Sequence, residues 1–129
     1  MGRKILLVED DRTTADFIMK GLAEHGHVGD HAANGRDGLF MATDGGYDAI
    51  ILDRMLPGMD GLELLQQVIA RDPDMPVILI SGHIDVPTAM GALRTGAYDV
   101  LEKPYSNEQL VAAVERALER RRLIAENRQ

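Results

Sequence analysis

Five times along this chain a short apolar run gives way to a stretch of helical periodicity, and that alternation constrains the fold more than any other feature. The strand-like runs are Lys4–Val8, Val28–Ala33, Tyr47–Leu52, Val77–Ile80 and Tyr98–Leu101. Unbroken apolar segments such as Ala49-Ile50-Ile51-Leu52 mark strands covered on both faces, the habit of parallel sheets. The helical stretches are Thr13–His25, Gly35–Asp44, Gly61–Arg71, Val86–Thr95 and Ser106–Asn127. Gly26, the pair Gly45-Gly46, and Gly96 stop three of them. Asp85 is placed to cap the fourth, with Pro87 in its first turn, and Ser106 with Gln109 has the form of a capping box. Ala15, Phe17, Ile18, Leu22 and Ala23 supply the apolar periodicity of the first helix, and Leu39, Phe40 and Ala42 that of the second. The whole predicts an α/β protein with a doubly wound, five-stranded parallel sheet and five helices on its two faces.

A length of 129 residues suits one domain. There is no cysteine, which excludes disulfides, Cys-ligated zinc, iron–sulfur clusters and thiol catalysis. No apolar run approaches the ~20 residues that span a bilayer. The first residues, Met1 to Asp10, hold too few apolar residues for a signal peptide, so a cytoplasmic protein without membrane contact is expected. The 14 Lys and Arg against 21 Asp and Glu speak against direct nucleic-acid binding, which needs clustered positive charge. Charge is uneven, however. Met1–Leu110 holds 9 basic and 18 acidic residues, whereas Val111–Gln129 holds five arginines and three acids.

In such a sheet, ligands sit beyond the carboxyl ends of the strands, where the winding reverses. Glu9, Asp10 and Asp11 follow the first strand, Asp53 the third, Ser81-Gly82 the fourth and Lys103-Pro104 the fifth. Clustered carboxylates repel one another unless a cation offsets them. Mg²⁺ prefers oxygen ligands and keeps several waters, which suits phosphate chemistry. Asp10 and Asp53 each offer it an oxygen, and a loop carbonyl near Met55 a third. Lys103 and the Ser81 hydroxyl are suited to phosphoryl oxygens, and Asp53 to a nucleophile that forms an acyl phosphate.

Four segments carry a resemblance along nearly the whole chain. They are Leu-Val-Glu-Asp-Asp (7–11), Ile-Leu-Asp-Arg-Met-Leu-Pro-Gly-Met-Asp-Gly (51–61), Ile-Ser-Gly-His (80–83) and Leu-Glu-Lys-Pro-Tyr (101–105). Together they resemble the receiver domain of bacterial two-component response regulators. The resemblance implies a flavodoxin-like receiver fold with strand order 2-1-3-4-5. It implies Asp53 as phospho-acceptor, with a sensor histidine kinase as donor and Mg²⁺ as cofactor. The metal site would comprise Glu9, Asp10, Asp53 and the backbone carbonyl of Met55, with Ser81 and Lys103 as switch residues. It also implies a cis Lys103–Pro104 bond. One position departs from the family: Val100 stands where an aromatic residue usually accompanies the switch.

A narrower resemblance, to receivers of NtrC- and DctD-type activators, rests on segments 81–90, 96–99 and 121–128. It implies AAA+ and DNA-binding domains downstream, so the chain is expected to be a piece of a longer regulator. Residues 1–118 would be the receiver and 119–129 the start of a helical linker. A stand-alone receiver or phosphorelay intermediate is the alternative. A rival of another class is a Mg²⁺-dependent phosphohydrolase with an Asp nucleophile. That chemistry needs an acid two residues after the nucleophile, and Met55 occupies the position. A pseudo-receiver that never takes phosphate is a third reading, opposed by the complete Glu9, Asp10, Asp53, Ser81 and Lys103 set.

Simpler roles are expected elsewhere. His25, His27 and His31 read as surface or strand-edge residues, His83 as a partly exposed loop residue that tunes access, and the seven methionines mostly as core filler. Gly58 and Gly61 read as turn glycines. In the last helix Leu110, Val111, Val114 and Leu118 form a core-facing stripe. Leu123 and Ile124 lie roughly 8–9 Å beyond its end, at 1.5 Å rise per residue. Flanked by Arg120, Arg121, Arg122, Glu126 and Arg128, they suit a helix pair, so a homodimer is expected.

Overall fold

The computed structural model describes residues 3–127; Met1 and Gly2 at the start, and Arg128 and Gln129 of the expected linker, lie outside the described residues. Ten elements alternate: β1 (Lys4–Val8), α1 (Arg12–Glu24), β2 (Val28–Ala32), α2 (Gly35–Asp44), β3 (Ala49–Asp53), α3 (Gly61–Arg71), β4 (Val77–Ser81), α4 (Val86–Thr95), β5 (Asp99–Glu102) and α5 (Asn107–Asn127). The strands form one parallel sheet in the order 2-1-3-4-5. The winding reverses between β1 and β3, and Val8 pairs with Leu52 there. Glu9 and Asp53 therefore leave their strands side by side at the same level.

Alternating side chains split the core into two layers. Ile5, Leu7, Ile51, Ile78 and Ile80 meet Ala15, Ile18 and Leu22 of α1 and Leu110, Val114 and Ala117 of α5. Leu6, Val8, Ile50, Leu52 and Leu79 meet Leu64, Leu65 and Val68 of α3 and Ala92 of α4. Asp53 and Glu9 continue the parity of the first layer, and Ser81 that of the second.

Element ends shift by one or two residues from the sequence expectation, and local hydrogen bonds explain the shifts. Asp11 caps α1 by accepting from the Thr14 N–H, so the helix starts at Arg12. Tyr47 and Asp48 stay outside β3: the Tyr47 hydroxyl donates to Asp30 (2.8 Å) and Asp48 accepts the Lys4 N–H (2.8 Å). The Lys103 N–H donates to the Ser81 carbonyl (2.8 Å), which prolongs the pairing of β4 and β5 beyond their expected ends. Ser106 lies outside α5, where it and Gln109 exchange hydrogen bonds of 3.0 and 2.8 Å as a capping box.

Several side chains fall elsewhere than expected. Phe17 and Phe40 are exposed, because Ile18 of α1 and Gly38 of α2 occupy the core-facing positions beside them. At Gly38 the helix approaches so closely that an added Cβ would lie 2.9 Å from the Val8 methyls. Met75 is buried, but Met55 and Met90 are exposed rather than filling the core. His27 is no surface residue: its side chain is 7% exposed and its Nε2 lies 2.8 Å from Glu115 of α5.

The stripe Leu110, Val111, Val114 and Leu118 is buried as the spacing predicts. Beyond it the helix is not left without cover. The Arg121 guanidinium donates twice to the Asp72 carboxylate (3.2 and 2.8 Å), just past the end of α3. Arg120 stacks over the Tyr98 ring at 5.6 Å. Ile124 lines a cleft of about 50 Å³ with Pro73, Met75 and Tyr98, whereas Leu123 is 46% exposed. The two tail residues expected to act together thus point different ways. No described helix is long and apolar enough to cross a membrane.

The Arg121–Asp72 pair is bidentate but partly solvated, a setting worth ~1 kcal/mol. Asp72→Ala is expected to speed amide exchange over residues 119–127 about fivefold, the equivalent of that energy, while the sheet amides are unchanged. Hydrogen exchange by mass spectrometry checks this, and unaltered exchange in the tail would show that the helix stands without the clasp.

Candidate functional site

Side chains from three strand ends meet at the switch point. The Lys103 ammonium, delivered by the turn after β5, donates to Asp53 Oδ2 at 2.9 Å and lies 3.8 Å from Glu9 Oε1. Lys103–Pro104 is a cis bond, as the family resemblance implies. Asp53 is only 3% exposed, and its Oδ1 accepts the Met55 N–H at 3.0 Å. Glu9 is 1% exposed. Its Oε2 accepts the Asp11 N–H at 3.4 Å, but its buried Oε1 has no hydrogen-bond partner. Asp10 is exposed at the rim. One carboxylate oxygen from each of Glu9, Asp10 and Asp53 lies within 4.8 Å of the others.

Electrostatics follow from this packing. Burial, then hydrogen bonding to Asp53 and the charge of Asp53, push the Glu9 carboxyl up to about 8. A protonated Glu9 can donate toward Asp53, whereas an ionised one leaves a buried negative charge with a single ammonium shared between two acids. Burial alone would lower Lys103, but its hydrogen bond to Asp53 and the charges of Asp53 and Glu9 more than offset that and hold it above its ordinary value. A hard cation fits this set: the orphaned Glu9 oxygen, the exposed Asp10 and an Asp53 oxygen present an all-oxygen donor set.

Ser81 is buried at the end of β4, but its hydroxyl is engaged locally. It donates to the His83 carbonyl (2.9 Å) and accepts the His83 N–H (3.3 Å). The sequence thus brings Glu9, Asp10, Asp53 and Lys103 together directly, and leaves Ser81 close by but turned to its own loop. Met55 and His83 are exposed on the loops at the rim, and Val100 packs inward against the second core layer.

Two contributors escaped the sequence reading. Gly61, read both as a turn glycine and as the start of a helix, opens α3 so close to β3 that an added Cβ would lie 2.4 Å from the Asp53 carbonyl oxygen. Its lack of a side chain lets α3 start against the end of β3; Gly58, with φ +80°, is the turn glycine. Glu102, beside Lys103, accepts the Ile84 N–H at 3.0 Å and so holds the loop after β4. No periodicity marks such a bond.

Comparison with known proteins places this geometry. The family model described as "Response regulator receiver domain" matches residues 5–115. The chain is a response regulator receiver domain. It is 38% identical over 124 residues to the C4-dicarboxylate transport transcriptional regulatory protein DctD of Rhizobium meliloti, covering 96% of this chain and 27% of that protein. It is 43% identical over 111 residues to the transcriptional regulatory protein HprR of Escherichia coli, covering 86% and 49%. The crystal structure of NtrX from Brucella abortus superposes with a TM-score of 0.89 at 37% identity, over 98% of this chain and 29% of that one. The signal receiver domain of a putative Luxo repressor protein from Vibrio parahaemolyticus superposes at 0.94 with 29% identity, over 100% and 99%. The receiver spans about a quarter to a half of the length of these curated relatives.

The raised Glu9 carboxyl makes stability depend on pH in a defined direction. Its folded value of about 8 exceeds its ordinary 4.5, so the metal-free folded state binds the extra proton between these values. Stability from this group is full below about pH 4.5 and is lost as pH rises toward 8. Glu9→Gln is expected to flatten the fall in Tm between pH 5 and 8 measured in chelator. An unchanged slope in the variant would show that Glu9 is ionised throughout.

Proposed function

We propose that the receiver is a phosphorylation-controlled switch whose phospho-acceptor is Asp53. The observation that carries the reading is the buried Asp53 carboxylate, held at 2.9 Å by Lys103 beside an oxygen-only cation site. An Asp53 oxygen attacks the phosphorus of a phosphohistidine on a sensor histidine kinase. The P–N bond breaks with its electron pair left on the imidazole, and Asp53 becomes an acyl phosphate. Glu9, Asp10, Asp53 and the Met55 carbonyl would hold Mg²⁺, which would supply charge neutralisation at the phosphoryl oxygens. Lys103 stays within reach of the product and balances its added negative charge. The Ser81 hydroxyl leaves the His83 carbonyl and donates to a phosphoryl oxygen. The resulting bias between two loop conformations is the signal. Apart from self-phosphorylation by a phosphodonor and slow loss of the phosphate, no turnover is assigned.

Relatedness to DctD and HprR supports a transcriptional output in the cytoplasm. In the longer regulator, residues 1–118 act as the receiver and 119–129 begin the linker to AAA+ and DNA-binding domains. The chain itself makes no direct contact with nucleic acid or membrane. Leu123 is the exposed apolar residue of the tail, flanked by Arg122 ion-paired to Glu119 and Glu126. That arrangement supports a homodimer through paired tails.

With Mg²⁺ and acetyl phosphate, intact-mass spectrometry is expected to find one added phosphoryl group, absent in Asp53→Asn. Equal modification of the variant overturns the assignment. The dimer is tested by light-scattering mass over a concentration series. Leu123→Asp is expected to weaken association at least tenfold, and a wild type that stays monomeric at high micromolar concentration, bare and phosphorylated, removes it.

A further inference from the structure

The loop between β4 and α4 hangs from two side chains that reach it from neighbouring strands. From β4, Ser81 holds both the carbonyl and the N–H of His83. From β5, Glu102 Oε2 accepts the N–H of Ile84 at 3.0 Å. The loop ends on Asp85, which caps α4 by accepting the Thr88 N–H at 2.8 Å. The seat of α4 thus depends on two anchors placed on consecutive loop residues.

The anchors differ in what else they border. Ser81 pairs with Glu102 in the β4–β5 register, so the two side chains leave the sheet at one level. Glu102 is bonded in sequence to Lys103, whose own N–H donates to the Ser81 carbonyl and whose ammonium sits on Asp53. A chain of bonds and contacts therefore runs from Asp53 through Lys103 and Glu102 to Ile84 and the α4 cap. The remaining inward residue of β5 on this side, Val100, carries no polar group to take part.

We propose that Glu102 is a positioning residue: a latch that keeps the N-terminus of α4 seated when the Ser81 hydroxyl turns to the phosphoryl group on Asp53. This rests on the reading of Asp53 as phospho-acceptor. In the bare receiver both anchors hold the loop. In the phosphorylated receiver the Ser81 anchor is gone and Glu102 alone limits how far Ile84 and Asp85 move. Glu102 touches neither the phosphoryl group nor the cation, so its removal leaves phosphate uptake intact and changes what that uptake does to α4. Because Val86, Met90 and Leu93 make an exposed apolar row on α4, the latch also controls how that row is presented.

The test is amide exchange over residues 82–90, bare and after acetyl phosphate treatment, in wild type, Glu102→Ala and Glu102→Gln. Intact mass is read on the same samples. All three proteins are expected to take up one phosphoryl group. In Glu102→Ala, phosphorylation is expected to speed exchange of residues 84–90 about tenfold more than it does in wild type. Glu102→Gln, which keeps an acceptor oxygen, is expected to follow wild type. A purely structural contact would instead speed bare and phosphorylated exchange by the same factor, and that result overturns the latch. Loss of phosphate uptake in Glu102→Ala also overturns it, by placing Glu102 in the chemistry. If wild type takes no phosphate, the reading of Asp53 fails and the latch is overturned with it, whereas phosphate uptake with equal acceleration in both states overturns the latch alone.

Discussion

One ammonium group set among two buried acids is the constraint on which the rest of this structure depends. Glu9 and Asp53 emerge side by side because β1 and β3 are neighbours in register, and burial there removes the water that would screen them. Two ionised carboxylates so placed would oppose folding unless offset. Lys103 supplies the offset from β5, two strands away from β3, and reaches Asp53 at 2.9 Å while remaining 3.8 Å from Glu9. The offset is incomplete, and the raised Glu9 carboxyl with its orphaned oxygen is the residue of that imbalance. A site left short of positive charge favours a cation, and the proposed phosphoryl transfer rests on that charge balance.

The parallel sheet makes the arrangement possible. Each strand end points the same way, so residues far apart in sequence converge without any loop having to bring them together. Close backbone packing does the rest. Gly61 lets α3 start against the Asp53 carbonyl, and the cis bond after Lys103 stands in the turn that carries the ammonium inward. The opposite end of the sheet has a different task. There Arg121 and Asp72, with Arg120 over Tyr98, fix the direction in which α5 leaves the body.

Strand positions and the acidic cluster were legible in the sequence because both rest on simple rules. Buried parallel strands are continuous apolar runs, and ligands gather at their carboxyl ends. Helix faces were less legible. Phe17 and Phe40 satisfy a count of apolar residues, yet Ile18, one position on, and Gly38, two positions back, take the core, and a turn of 100° per residue reverses the reading. Long-range polar pairs were not legible at all. His27 with Glu115, Arg121 with Asp72 and Glu102 with Ile84 join residues 88, 49 and 18 apart, and composition contains no record of such meetings. Ile124 and Leu123 separate because α5 runs on unbroken: Arg121 and Ile124 continue the stripe of Leu118 at three-residue spacing, and Leu123 falls off it.

The two ends of the sheet are joined by β4 and by the edge strand β5. β4 begins after Pro76 in the loop beside the α5 clasp and ends on Ser81; β5 begins after Tyr98, under Arg120, and ends on Glu102. A hydrogen-bonded strand of four or five residues resists stretching, so displacement at one end is carried along it rather than absorbed. β1 and β3, like β4, are enclosed by core on both faces and paired on both edges. They hold Glu9 and Asp53, while Ser81 and Glu102 stand on the two strands that also border the exit of α5. In the proposed reading, charge added at Asp53 acts on that side of the sheet. The same polarity explains why the clasp is an ion pair with partial exposure rather than more apolar burial: a contact of modest strength fixes the helix direction yet stays within the range that a rearranged loop can shift.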